Sequence, residues 1–202
     1  MVSYCQQAGS TILREYFFHI RPTFMEGFMR NSTLMLAVSL VAPMFVSMAQ
    51  AAAPSDAEIA AIVVAANQVD IDAGKLAESK ASNADVKAFA HRMVTDHADV
   101  NKQAVELVTK LKVTPKDNPT SESLKSGGEK NIAKLKKLSG AEFDKAYIDH
   151  EITYHEQVLD AVDNTLIPNA KNEELKALLV KVRPAFVAHT EHAKQVKSSL
   201  GK

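Results

Sequence analysis

Five residues able to hold a proton or a metal ion fall where a helix would turn them into an apolar face: Asp70, His97, Glu151, His155 and His189. Asp70 follows Val63 by seven residues and precedes Ala73 by three, while His97 follows Met93 by four and precedes Ala104 by seven. Glu151 follows Tyr147 by four and precedes Val158 by seven. His155 lies one turn further on, and His189 stands seven residues from both Val182 and Val196. At about 100° per residue, each spacing keeps the polar side chain on the buried arc. By the same test Asp72, His91 and Glu191 point outward, and His150 and His192 fall at the margins. Asn101 stands one turn below His97. Asp96 lies at the edge of its stripe, placed either to orient an imidazole or to be solvated.

Neutral imidazoles and carboxylates are ligands for iron, zinc, copper or manganese, and the core of a helical bundle is where such sites are built. The alternative is a metal-free network in which each histidine pairs with Asp70, Glu151, Tyr147 or Tyr154. Either way these groups need partners, because an unpaired charge buried among apolar side chains is strongly destabilising. Other chemistries find no support. The chain has no glycine-rich phosphate loop, no Ser-His-Asp constellation and no His-Glu-x-x-His motif. The paired Glu-x-x-His motifs of di-iron bundles are also missing; in His189-Thr190-Glu191-His192 the acid faces away.

The elements that must carry these residues all read as helices. Ser55-Asp-Ala-Glu58 is a capping box opening a stripe of Ile59, Ile62, Val63, Ala66, Val69, Ala73 and Leu76 that ends near Lys80. Ser82-Asn-Ala-Asp85 reads as a second capping box. Its helix carries Val86, Phe89, Ala90, Met93, Val100, Ala104, Leu107, Val108 and Leu111, and Pro115 and Pro119 are expected to end it. Residues 114–120 read as a loop, and 121–138 as a lysine-rich helix weakened by Gly127-Gly128. Ser139-Gly-Ala-Glu142 reads as a third capping box, opening a helix that runs to about Thr165, where Pro168 breaks the chain. Asn172 caps the last helix, which Pro184 is expected to kink. The expected fold is all-α, a ferritin-like four-helix bundle with an extra helix in the long crossover; up-down-up-down connectivity is the alternative. The Lys130, Lys134, Lys136, Lys137 cluster reads as a solvated face.

Composition narrows the setting. The 202 residues carry 24 basic and 24 acidic side chains, so nothing suggests a nucleic-acid footprint. Met29-Arg30-Asn31, the apolar run Leu34–Met48 and Ala49-Gln50-Ala51 have the layout of a signal peptide cleaved after Ala51. The apolar run is shorter than the roughly 20 residues that span a bilayer, and Pro43 interrupts it. Residues 1–28 read as an over-extended start, 29–51 as the signal peptide and 52–202 as the helical domain. The one cysteine, Cys5, falls in the first of these. Periplasm or cell envelope is therefore the expected location, with no integral membrane span after processing. Apolar residues on outer faces, such as Val64 and Val180, hint at a homodimer.

The chain resembles the bacterial family called domain of unknown function 4142, which is grouped with ferritin-like folds and often labelled an outer-membrane protein. The resemblance covers about residues 56–199. It rests on Val86-Lys87-x-Phe89-Ala90, on Met93-Val94-x-Asp96-His97-x-x-x-Asn101, on Phe143-Asp144-x-x-Tyr147 followed by His155, and on Pro184 followed by His189. The matching polar positions are Asp96, His97, Asn101, Tyr147, His155 and His189. Two positions depart from the pattern: Asp70 stands where a Glu is usual, and Glu151 where a Gln is common. The resemblance implies the fold and export and adds no reaction. The sequence favours an exported, non-catalytic stress or envelope protein with a polar cluster in its core. The alternative is a transition-metal-binding bundle that stores, buffers or cycles its ion.

Overall fold

The structure, a computed structural model, describes residues 53–201. The over-extended start and the signal peptide expected over 1–51 lie outside the described residues. Among those residues the fold is all-α with no strand: α1 Asp56–Lys80, α2 Ala84–Leu111, α3 Pro119–Leu135, α4 Gly140–Ala161, a π-helical turn Val162–Leu166, the single turn α5 Ile167–Asn169, and α6 Glu173–Leu200. No helix among them is long and apolar enough to cross a membrane.

Hydrogen bonds at the helix ends fix the directions. The short Ala81–Asn83 link makes α1 and α2 antiparallel. Lys116 N donates to the Ala57 carbonyl at 2.9 Å and Asn118 Nδ2 to the Glu58 carbonyl at 3.1 Å, so α3 starts beside the start of α1. Lys80 Nζ donates to the Lys136 carbonyl at the other end, and α3 therefore runs parallel to α1. The Asp144 carboxylate takes the backbone N–H of Ser82 and of Asn83, each at 2.9 Å, which sets the start of α4 beside the start of α2. Asp56 takes the N–H of Lys171 and Asn172 at 2.9 and 3.1 Å, which returns α6 to the start of α1. Hence α1 and α6 run one way, and α2 and α4 the other. Around the core α1 packs on α2 and α4, α6 packs on α4 and α2, and α3 lies along α1.

Local chemistry explains most boundaries, with several corrections to the sequence reading. The Ser55–Glu58 capping box forms in both directions. At α2 the cap is Asn83, whose Oδ1 accepts from Asp85 N and Val86 N, because the Ser82 hydroxyl is taken by Asp144. Lys112 in the left-handed region (φ 54°) ends α2 ahead of Pro115. Pro119 opens α3 rather than ending α2: its missing N–H costs nothing at a first helical position, and Asn118 caps it. Ser139 makes no side-chain cap; the chain enters α4 through Gly140 at φ +55°. Pro168 does not break the chain. The backbone widens into the π turn at Val162–Leu166 and continues through Ile167–Asn169. Pro184 lies inside a helix that runs from Glu173 to Leu200.

The two glycines of α3 differ in role. A Cβ on Gly127 would meet nothing within 4 Å, whereas one on Gly128 would stand 2.8 Å from Val69 Cγ2 and 3.0 Å from Cγ1. Val69 is β-branched and has little rotamer freedom on a helix, so it has little room to give way. Gly127→Ala is therefore expected to raise stability by up to about 1 kcal/mol through helix propensity. Gly128→Ala is expected to lower it through overpacking by about 1 kcal/mol or more. Chemical denaturation of the two variants checks the contrast. The close seating of α3 also corrects the reading of Val64: it is half-buried against the Ile59–Leu175 cluster, whereas Val180 is 52% exposed.

Candidate metal centre

Along α1, α2, α4 and α6 the apolar stripe is interrupted by buried polar residues. On one side lies a cluster that includes Phe89, Met93, Phe143 and Tyr147; on the other lies one that includes Ile59, Ile62, Leu166 and Leu179. Between them stand Asp70 from α1, His97 from α2, Glu151 and His155 from α4, and His189 from α6. None is more than 1% exposed. The three imidazoles form a triangle with ring centroids 5.3, 5.4 and 5.5 Å apart. One ring nitrogen from each lies within 4.8 Å of the others, and ligand atoms of Asp70, Glu151 and His155 group just as closely. Asp70 Oδ2 stands 3.2 Å from His97 Nε2 and 3.8 Å from His155 Nε2. All five residues read as inward-facing from the sequence are thus brought together.

The outer nitrogen of each ring decides the state of the inner one. His97 Nδ1 lies 2.7 Å from Asn67 Oδ1, and the Asn67 amide donates its other end to the Val63 carbonyl at 2.8 Å. His155 Nδ1 lies 2.9 Å from the Glu151 backbone carbonyl. His189 Nε2 lies 2.8 Å from Asp96 Oδ2, which Arg92 Nε also approaches at 3.2 Å. All three partners are acceptors, so each of these outer nitrogens carries the hydrogen. In the neutral rings the inner nitrogens, His97 Nε2, His155 Nε2 and His189 Nδ1, then present bare lone pairs. None of the three has a hydrogen-bond partner, nor has either oxygen of Asp70 or of Glu151. An imidazole fixed from behind by an oxygen acceptor is how proteins hold histidine on a metal.

Electrostatics favours the neutral form of His97 and His189 and the charged form of Asp70. Burial pushes His97 below the usual imidazole range against the opposing pull of Asp70. Burial likewise pushes His189 down to about 4, although its hydrogen bond to Asp96 works the other way. Burial would raise Asp70, but His97 and His155 outweigh it and hold the carboxyl low. Glu151 is driven well up, first by burial and then by the charge of Asp70. Of the two facing carboxyls, Glu151 keeps the proton. Burial also raises the Tyr147 and Tyr154 hydroxyls, followed by the charges of Glu151 and Asp70.

A pH test follows. Above the ordinary glutamate value of 4.5, the folded protein holds a proton on Glu151 that the unfolded chain releases. Stability therefore falls as pH rises, by up to about 1.4 kcal/mol per pH unit until Glu151 titrates in the folded state. Gln is the neutral isostere. The metal-free Glu151→Gln variant is thus expected to gain on the wild type steadily as pH is raised from 5 to 8 in urea denaturation.

Several sequence readings shift at this point. The tyrosines do not pair with the imidazoles: Tyr154 donates to the Ala66 carbonyl at 3.0 Å, and the Tyr147 hydroxyl has no partner. Asp96 orients His189 and is only partly solvated. Asn101 is half-buried with its Oδ1 unpaired. His150 and His192 stay at the margins and His91 is exposed. Asn67 was missed. Its signal was its place three residues before Asp70 and four after Val63, on the same buried arc.

A family model described as "Domain of unknown function (DUF4142)" matches residues 42–196, and the chain belongs to that family. No curated protein and no solved structure matches the chain.

Proposed function

We propose that this protein is an exported ferritin-like bundle whose core binds one first-row transition-metal ion. The ligands would be His97 Nε2, His155 Nε2, His189 Nδ1 and Asp70 Oδ2. The observation that carries the reading is the mismatch of donors and acceptors: three imidazole nitrogens and a carboxylate face one interior space, and none of them has a hydrogen-bond partner. A water molecule brings only two hydrogens to such a space, whereas a cation satisfies all four groups at once. Three imidazoles and a carboxylate are a borderline donor set suited to zinc, copper, iron or manganese. Bound there, the ion would supply Lewis acidity or a redox electron; Glu151 stands beside it as a proton store.

The helix directions support the ferritin-like assignment. Two antiparallel pairs, α1/α2 and α4/α6, are joined by α3 running back along α1, so that α4 lies parallel to α2. Export rests on the signal-peptide layout of residues 29–51, and a periplasmic or envelope setting follows from it. Storage, buffering or redox cycling of the ion fits this core better than a purely surface-mediated envelope role, which gives the converging lone pairs no purpose. The test is elemental analysis of the protein purified from the cell envelope, with its mature amino terminus determined. About one equivalent of a single transition metal, and a chain beginning near Ala52, are expected. A metal-free protein that also takes up none of the four ions would overturn the reading.

A further inference from the structure

A second feature adjoins the centre on its α3 side. A cavity of about 110 Å³ lies between α1, α2, α4 and α6, walled by Ile62, Val63, Ala66, Val100, Val182 and Phe186. It reaches the surface beside Thr120 of α3 and Gln157 of α4, both exposed. Its inner end is formed by three residues that touch the histidines. Asn67 holds His97 Nδ1, Tyr154 packs edge-on to His155, and the Phe186 ring lies 5.2, 5.9 and 6.2 Å from His97, His155 and His189.

The walls offer water almost nothing. The polar groups at the inner end are engaged, with the Asn67 amide bonded at both ends and the Tyr154 hydroxyl bonded to the Ala66 carbonyl. A water molecule needs two to four polar partners to stay, and apolar cavities of about 150 Å³ remain dry and take up xenon or benzene. A dry chamber with a mouth at the surface and its blind end on an imidazole cluster is shaped for delivery. We propose that this cavity binds a small uncharged apolar molecule, diatomic in size, and leads it to the metal centre. The delivery half rests on the metal reading; the binding half does not.

Two measurements separate them. Xenon pressure applied to the metal-free protein should shift the methyl resonances of Ala66, Val100 and Val182 and leave those of the Phe143–Met93 cluster in place. Ala66→Leu, which projects a larger side chain from the cavity wall, should abolish the shifts. If that variant does not fold, Ala161→Leu fills the same space from α4, since Ala161 also lines the cavity. No xenon shift in the wild type, or equal shifts in the filled variant, would overturn the cavity as a binding site. In the second measurement, protein loaded anaerobically with iron(II) is mixed with nitric oxide, and the iron–nitrosyl signal is followed by electron paramagnetic resonance. The filled variant should hold the same iron yet form the signal at least tenfold more slowly. Equal rates would overturn delivery. Failure of both proteins to hold iron, with the xenon shifts intact, would overturn delivery to a bound iron while leaving the binding site standing.

Discussion

Zinc added to the metal-free protein should raise its melting temperature by roughly 8–16 °C, and the same addition should leave a His97→Ala/His189→Ala variant unmoved. An ion that binds only the folded state stabilises it by RT ln(1 + [L]/Kd), about 4 kcal/mol at a thousandfold excess over Kd. For a domain of this size each kcal/mol is worth about 2–4 °C. The variant loses two of three imidazoles and their bare nitrogens, and with them the differential affinity that produces the gain. Its metal-free melting temperature is expected to fall as well, since two large buried rings are removed; the quantity compared is the shift on adding metal. Acid should matter less than at an exposed histidine site. Burial holds His97 below the usual imidazole range and His189 down to about 4, so protons compete less with the ion for these rings than for exposed ones. The zinc-dependent gain is therefore expected to persist at pH 5.5. Equal shifts in wild type and variant, measured by scanning calorimetry, would contradict the assignment.

The second large effect is expected far from the imidazoles. Asp144→Ala should cost about 3 kcal/mol of stability, read as a lowered denaturation midpoint in urea. Asp144 is 1% exposed and takes three hydrogen bonds, from the backbone of Ser82 and Asn83 and from the Ser82 hydroxyl. Truncation removes three hydrogen bonds to a carboxylate at the start of α2, each worth about 1 kcal/mol. The same contacts fix the height of α4 against α2, and so the level at which His155 meets His97. Metal affinity is accordingly expected to weaken in this variant although no ligand is touched. Asp56 does the equivalent work at the other end, where it takes the N–H groups ahead of α6.

The helical period was enough to place Asp70, His97, Glu151, His155 and His189 on inward arcs, because a ring or carboxyl on an apolar stripe has nowhere else to point. What holds the rings from behind was less legible. Asn67 is a lone amide on a long alanine-rich helix, and nothing in its residue type marks it as the partner of His97. The Glu151 carbonyl that orients His155 is backbone and carries no side-chain signature. Capping residues were misread wherever a tertiary contact competed: Ser82 gives its hydroxyl to Asp144 and leaves the cap to Asn83, an outcome set by a residue 62 positions away. Pro119 looked like a terminator because proline ends one helix and begins another with the same lack of an N–H. Val64 looked free because a lysine-rich α3 gives little hint that Gly128 lets it lie against Val69.

The most direct test is diffraction from a crystal of the protein soaked in zinc, with anomalous difference maps on either side of the zinc edge. One peak bonded to His97 Nε2, His155 Nε2, His189 Nδ1 and Asp70 Oδ2, at about 2.0–2.2 Å from each, is the expected result. A core without such a peak, or zinc found only on surface histidines such as His91, would contradict it.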